Sequence, residues 1–182
     1  FRNDMGHRER AVTAYLFSRG PAGDPQAPGE HIGISGSYQS GKEGRLLFFN
    51  GNARNQTLYG SNLIPPGTWN HVVYVRDGAQ VAAYLNGKPE LTGNAEAVGS
   101  QVRDLFLGAR CDQFGPLKGD MAGFALFDRA LKAQEAEAAA IATRLADALK
   151  LEMDTFLQKE LGVDVTKLNQ ELESVTKNVN QN

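Results

Sequence analysis

The residues best suited to ligand chemistry lie together in one polar segment, NGNARNQTLY, at positions 50–59. Its candidate ligand-binding residues are Asn50, Asn52, Arg54, Gln56 and Tyr59. Amide and guanidinium groups hydrogen-bond sugar hydroxyls, and an aromatic ring stacks on the apolar face of a sugar. We therefore predict that this segment contacts a glycan. A turn is the alternative interpretation, since Asn and Gly favour turns for conformational reasons.

Carboxylates in an arrangement that would support glycoside hydrolysis are not found. That reaction needs two carboxyl groups facing one cleft, and acidic residues alternating along a strand would provide them. No candidate strand carries an ExDxE-like pattern, and the acidic residues fall in expected turns, at strand ends or on helices. The sequence therefore predicts a protein that is not an enzyme and has no catalytic residue. A hydrolase with an unfamiliar pair of acids is the alternative.

The histidines and the cysteine predict neither a metal centre nor a cofactor. His7, His31 and His71 are far apart in sequence and form no HxH or HExxH motif. Cys111 is the single cysteine, which excludes an intrachain disulfide and a CxxC motif. The sequence also contains no GxGxxG phosphate-binding loop.

The overall charge gives no general attraction to polyanions. The 182 residues include 19 basic and 21 acidic side chains, for a formal net charge of -2. Neither nucleic acid nor an anionic membrane surface is therefore an expected partner. No apolar run is long enough to span a bilayer, so membrane insertion is not expected. Because the first residue is Phe1 rather than Met, we expect an internal part of a longer chain, with any export signal upstream.

Two types of composition meet near Asp128 and divide the chain into residues 1–132 and 133–182. The first part is rich in Gly, Pro and aromatic residues, and the second in Ala, Leu, Glu and Lys. Short strands separated by turns predict a β-sandwich or barrel in the first part. The main strands are expected at 11–19, 31–38, 45–52, 71–76, 80–85, 104–110 and 120–128.

Two tight turns and a tryptophan mark the centre of this β domain. Asp77-Gly78 and Asn86-Gly87 are typical of two-residue hairpin turns, and they predict a three-stranded meander. Glycines in the strand at 31–38 predict that this strand packs closely against another part of the molecule. Trp69 stands just before the first strand of the meander. We expect its indole to be buried at one end of the core, as large aromatic side chains usually are.

The second part is predicted to be an amphipathic helical extension. Apolar residues recur at spacings of three and four from Leu131 onward. They are Ile141, Leu145, Leu149, Met153, Phe156 and Leu157. Gly162 is expected to end the helix and Asp164 to cap a second one. The second stripe consists of Val165, Leu168, Leu172, Val175 and Val179. Both stripes are expected to be buried, within the same chain or against a partner chain.

The order of several short motifs resembles the closing half of a laminin-G-like domain. These motifs are WNHVV at 69–73, YLNG at 84–87, LFLG at 105–108, GDMA at 119–122 and LFDRAL at 126–131. The resemblance implies a concanavalin A-like jelly roll, in which two antiparallel sheets pack face to face. It covers residues 1 to about 135, and the helical extension lies outside it.

Four earlier segments resemble a narrower group, the laminin-G-like domains of large multidomain proteins of planctomycete-type bacteria. The segments are FRNDM, VTAYLFSRG, GEHIGISGSY and GRLLFFNGN. In such relatives a strand or two precede the position of Phe1, so the resemblance implies a domain truncated at its N-terminus. It also implies an extracellular, periplasmic or cell-surface location.

Laminin-G-like domains often hold calcium at the sandwich rim, so the resemblance makes calcium a further candidate ligand. Asp112 and the Asn50/Asn52 turn would offer the oxygen ligands that calcium prefers.

These observations predict a non-catalytic binding module of a larger exported protein. Carbohydrate or protein is the expected ligand, recognised through the rim loops or the concave sheet. The alternative is a structural or assembly module, in which the helical extension docks on a partner subunit or a neighbouring domain. The two hypotheses differ in which part of the chain makes the functional contact.

Overall fold

The computed structural model describes residues 1–99, 102–162, 164–167 and 170. Within these residues, ten strands precede one long helix. The strands are β1 Arg2–Asn3, β2 Ala14–Arg19, β3 Glu30–Ile34, β4 Arg45–Phe49, β5 Thr57–Leu63, β6 Val72–Asp77, β7 Gln80–Leu85, β8 Lys88–Asn94, β9 Leu105–Leu107 and β10 Gly119–Asp120. The helix α1 is Ala133–Leu161. The chain divides into two units, Phe1–Ala140 and Ile141–Asn182.

The strands form antiparallel sheets, as predicted from the sequence. One sheet has five strands in the order β5-β4-β3-β2-β9, a second has three in the order β6-β7-β8, and β1 pairs with β10. Buried side chains from the five- and three-stranded sheets meet in one core, where Phe48 of β4 stacks on Tyr74 of β6 at 5.9 Å. The predicted fold class, a mainly β sandwich followed by a helix, is confirmed.

The turn at Asn86-Gly87 lies where the sequence placed it, and the other turn lies one residue later than predicted, at Gly78-Ala79. Asp77 pairs with Gln80 and Leu85 with Lys88, so each loop contains two residues. Asn86 and Gly87 both have positive φ angles, 54° and 83°. This is the geometry of a type I′ turn, whose twist matches that of the flanking strands.

Gly33 of β3 shows the close packing predicted for its strand. A Cβ at this position would lie 2.6 Å from Thr13 Cγ2 and 2.7 Å from the Ala14 carbonyl oxygen. A larger side chain would therefore push β2 away from β3.

The prediction of a buried Trp69 was wrong. Its side chain is 53% exposed, and the Arg2 guanidinium lies 5.9 Å from its ring. Trp69 forms an isolated backbone bridge with Arg2, beside the short pair of β1 and β10. Phe1 and Ile64 are buried in the core instead. The sequence pattern showed that Trp69 precedes a strand. It could not show whether the indole would face the core or the solvent.

The predicted strand at 120–128 is reduced to its first residue, Asp120, in β10. Gly123 has a φ of 65°, which interrupts an extended backbone. The apolar residues Phe124, Leu126 and Phe127 are exposed in the irregular segment that follows. An apolar composition predicted a strand here, but the chain lacks the regular backbone that pairing requires.

The helix begins and ends close to its predicted positions. Ala136 and Ala140 are buried within the first unit, and a Cβ on Gly87 would lie 3.1 Å from Ala140 Cβ. After the helix, Gly162 has a φ of 64°, and Asp164 Oδ1 accepts a 3.0 Å hydrogen bond from the Lys167 amide. The predicted stop and the predicted cap are therefore both present.

In the described part of the chain, five residues of the apolar stripe in the second unit are exposed. They are Ile141, Leu145, Leu149, Met153 and Phe156. Of the second predicted stripe, Leu168, Leu172, Val175 and Val179 lie outside the described residues. In the part of the chain that the structure describes, no helix has the length and hydropathy of a transmembrane segment.

Candidate functional site

The outer face of the five-stranded sheet is built from two rows of side chains that alternate with the core residues. Strand register places Tyr15, Gly33, Leu47 and Tyr59 in one row across four strands. The second row consists of Ser18, His31, Phe49 and Thr57. Because successive residues of a strand point to opposite faces, these residues face away from Phe48 and its core neighbours.

A cleft of about 330 Å³ lies over this face, and we call it the sheet-face cleft. Its floor includes Tyr15, Leu47, Phe49 and Tyr59, and its walls are formed by the loops around Thr13, Tyr38, Asn52, Asn55 and Phe114. The volume falls in the range of small-molecule sites, and the lining combines aromatic rings with amides and hydroxyls. Such a surface can stack on a sugar ring and hydrogen-bond its hydroxyls.

Arg110 joins the walls of the cleft. Its Nε and Nη2 donate hydrogen bonds of 2.8 and 2.7 Å to the two carboxylate oxygens of Asp112. Nη1 donates to Asn52 Oδ1 at 3.3 Å. The guanidinium lies 4.7 Å from the Phe114 ring and 5.7 Å from the Tyr15 ring. One side chain thus fixes two loops and an exposed aromatic residue.

The charge state of this pair follows from its geometry. The hydrogen bonds from Arg110 hold the pKa of the Asp112 carboxyl below its usual range, and its pairing with Asp112 raises the pKa of Arg110. Both groups are therefore ionised near neutral pH, and their charges cancel at the cleft wall.

The structure separates the five ligand-binding residues predicted from the sequence. Asn52 and Tyr59 line the sheet-face cleft. Asn50 is 2% exposed, and its side chain exchanges 3.0 Å hydrogen bonds with the side chain and backbone of Gln56. Gln56 also donates to the Asn94 carbonyl at 2.5 Å. Asn50 and Gln56 therefore stabilise the turn.

Arg54, the fifth predicted residue, pairs with the carboxylate of Glu96 at the surface. Its guanidinium is not among the groups that line the cleft. Asn55, beside it, does line the cleft and has a positive φ of 51°.

Four residues of the cleft carry no signal in the sequence, namely Tyr15, Tyr38, Arg110 and Phe114. Tyr15 is separated from Tyr59 by two intervening strands, so its place in the cleft becomes visible only from the register. Tyr38 was expected at the end of the strand at 31–38, but β3 ends at Ile34, and Tyr38 is 88% exposed in the turn that follows. The polar residues at 50–59 form a dense cluster in the sequence, whereas the aromatic residues of the site are dispersed along the chain.

A group of buried polar residues lies beneath the cleft. Ser18 Oγ lies 2.7 Å from His31 Nδ1, and the rings of Tyr15 and Phe49 lie about 6 Å from the imidazole. Burial lowers the pKa of His31 to about 4 and raises the pKa of the Cys111 thiol. The imidazole is therefore neutral and the thiol protonated near neutral pH, which suits a packing role.

The side-chain oxygen atoms considered for calcium already accept hydrogen bonds, that of Asn50 from the Gln56 amide and those of Asp112 and Asn52 from Arg110. Among the described residues, no group of three or more His, Cys, Asp or Glu side chains could hold a metal ion. Calcium at the rim stays a prediction, and its binding there would have to displace the arginine.

Comparison with known families agrees with this architecture. A family model of the concanavalin A-like lectin/glucanases superfamily matches residues 8–137. The chain belongs to this superfamily. The match includes nine of the ten strands and the first turn of α1. Among curated proteins, none matches the chain.

Two solved structures resemble this superfamily member. The CBM40 module of the Ruminococcus gnavus IT-sialidase has a TM-score of 0.58 at 19% sequence identity, covering 76% of this chain and 78% of that one. An S-layer domain-containing protein from Clostridium thermocellum has a TM-score of 0.38 at 19% identity, covering 75% of this chain and 66% of that one. The first comparison shows a shared fold.

Proposed function

We propose that this domain is a carbohydrate-binding module whose ligand occupies the sheet-face cleft. The observation that carries the proposal is the lining of the cleft, where Tyr59 and Phe114 offer aromatic surfaces beside the amides of Asn52 and Asn55. Sugar rings are recognised by this combination of stacking and hydrogen bonding. The fold shared with a module named as carbohydrate-binding supports the same assignment.

The proposed role is binding without catalysis. Among the described residues that line the cleft there is no Asp or Glu. Asp112 lies beside the cleft wall, but its two oxygen atoms are held by Arg110. Glycoside hydrolysis by the usual route needs one carboxyl to donate a proton and another to act as base or nucleophile. The lining supplies neither.

A module of this kind serves a larger exported protein by keeping it close to its glycan. The resemblance seen in the sequence motifs supports an extracellular, periplasmic or cell-surface setting for the proposed function. Fusion of the full-length precursor to a reporter that is active only outside the cytoplasm would test this part separately.

The binding proposal is tested with a glycan array followed by calorimetry on the best ligand. We expect Phe114→Ala to weaken binding at least about tenfold, because it removes an exposed stacking surface. Tyr84→Ala is the matched control, since Tyr84 alternates with the core residues of β7 and faces away from the five-stranded sheet. No binding by the folded protein, or equal losses in both variants, would contradict the proposal.

Assembly through α1 is the second candidate function. The observation that favours it is the exposed stripe of Ile141, Leu145, Leu149, Met153 and Phe156 in the second unit. Apolar stripes of this kind are commonly covered by another helix or protein surface. Self-association is the property that separates this candidate from glycan binding, and it is measurable directly.

A further inference from the structure

We propose that the sheet-face cleft selects neutral sugars and that Asp112 sets this selectivity by neutralising Arg110. This inference rests on the proposed function and adds the chemical class of the ligand. Recognition of an acidic sugar requires a cation whose hydrogen-bond donors are available to the ligand carboxylate. The charges around the cleft determine whether such a group exists.

Arg110 is the one charged side chain among the described residues that line the cleft. Its nitrogen atoms are already engaged, with Nε and Nη2 on Asp112 and Nη1 on Asn52. The residue is 8% exposed and lies between the rings of Tyr15 and Phe114. To make a two-point contact with Nε and Nη2, a ligand carboxylate would have to displace Asp112, and at the remaining N–H donors it would be repelled by the negative charge of Asp112.

Lys42 is the next cation to consider. Its Nζ lies 5.8 Å from the centre of the Tyr59 ring. Lys42 is half-buried, and a single ammonium over an aromatic face is a point charge that lacks the two-point geometry by which a guanidinium selects a carboxylate. Its contribution can be removed by Lys42→Gln without changing the groups that line the cleft.

The polar groups left for the ligand suit hydroxyls. Because Asn52 Oδ1 accepts from Arg110, its amide nitrogen remains as a donor at the cleft wall. Asn55, Thr57 and Tyr59 add amide and hydroxyl groups that both donate and accept. Sugar hydroxyls also do both, so a neutral sugar can satisfy this lining without a formal charge.

The experiment compares neutral oligosaccharides with uronic- and sialic-acid-containing ones by calorimetry at low and high salt. We expect the native protein to bind the neutral class, with an affinity that changes little with salt because no ion pair forms. Lys42→Gln should leave this affinity within about twofold of the native value. Asp112→Asn, which removes the negative charge and frees the guanidinium, should gain measurable affinity for a carboxylated sugar.

The outcomes separate the inference from the function on which it rests. Preferential binding of carboxylated sugars by the native protein, weakened by salt and by Lys42→Gln, would overturn the inference and leave the glycan-binding function standing. A folded Asp112→Asn variant that gains nothing for acidic sugars would overturn the role given to Asp112. Binding of neither class by folded native protein would overturn both the function and the inference. The salt dependence of the native protein decides the ligand class even if Asp112→Asn does not fold.

Discussion

The Glu30 carboxylate accepts a 2.6 Å hydrogen bond from Nε of Arg76 and thereby ties the five-stranded sheet to the three-stranded sheet. Glu30 also pairs with Arg19 at 3.4 Å, and it is buried. Arg76 in turn donates to the Ala95 carbonyl at 2.9 Å. Glu30 is thus shared by two arginines. A neutral side chain at position 30 would leave both guanidinium groups without this partner.

Replacing Glu30 is expected to destabilise the domain strongly. Glu30→Gln should lower the free energy of unfolding by about 3 kcal/mol, because it leaves the charges of two partly buried guanidinium groups without their shared carboxylate. Chemical denaturation monitored by circular dichroism measures this change. Glu96→Gln is the matched control, since the Arg54–Glu96 pair is exposed and its loss should shift the denaturation midpoint little. Equal shifts in the two variants would show that the Glu30 network contributes no more than a surface ion pair.

Stability should fall as the pH drops from about 6.5 to 4 because of His31. The folded pKa is about 4 owing to desolvation, whereas the unfolded imidazole titrates near 6.5. Between these values the unfolded state binds a proton that the folded state does not, so acidification favours unfolding. The full effect is about 3 kcal/mol, reached near pH 4.

The His31 effect is isolated by comparison with His31→Phe. Carboxylates titrate in both proteins, so the difference between their pH profiles of unfolding free energy reports the imidazole. We expect the native protein to lose more stability than the variant between pH 7 and pH 4. Parallel profiles would mean that His31 has an ordinary pKa and is not desolvated by the surrounding rings.

Trp69→Ala is expected to cost about 0.5 kcal/mol or less, which is the range of surface substitutions. The indole is more than half exposed, so its removal leaves no cavity in the core. Because the sequence contains a single tryptophan, intrinsic fluorescence reports this residue alone. The emission of the native protein should be that of a hydrated indole and should be quenched by iodide. A blue-shifted, unquenched emission with a large loss of stability would restore the buried position predicted from the sequence.

The sequence predicted the features that depend on short-range patterns. The turn at Asn86-Gly87, the stop at Gly162 and the cap at Asp164 were located correctly, and the turn predicted at Asp77-Gly78 was located to within one residue. Each rests on a local conformational preference of one or two residues. The exposure of Trp69 could not be predicted in this way, because it depends on which distant residues fill the core.

The candidate site illustrates the same limit. Asn52 and Tyr59 were found because they lie in a dense polar segment, but that segment also contains Asn50, which holds the turn. Arg110 contacts the Phe114 ring and also Asn52, which is 58 residues away in sequence. These contacts place Phe114 in the wall of the cleft. A periodic pattern along one strand carries no information about such neighbours.

The assembly candidate makes a prediction about truncation of the chain. A protein that ends at Ala140 keeps the first unit, including the helical turns whose Ala136 and Ala140 are buried, and loses the exposed stripe. If the stripe drives self-association, the full chain should be oligomeric in light scattering and the truncated chain monomeric. Glycan affinity should be equal in both, because all residues of the sheet-face cleft precede Gly115.

The double substitution Leu145→Lys and Leu149→Lys tests the same stripe without deleting any residue. Two charges on the exposed apolar face should prevent helix association while leaving an isolated helix intact, since Lys and Leu have similar helix propensities. Asp147→Asn and Asp154→Asn on the opposite face of the same helix form the control pair, because they also raise the net charge by two without touching the stripe. An oligomer that survives the leucine substitutions would place the subunit contact in the β domain, and a monomeric native chain would remove the assembly candidate and leave glycan binding as the function of the module.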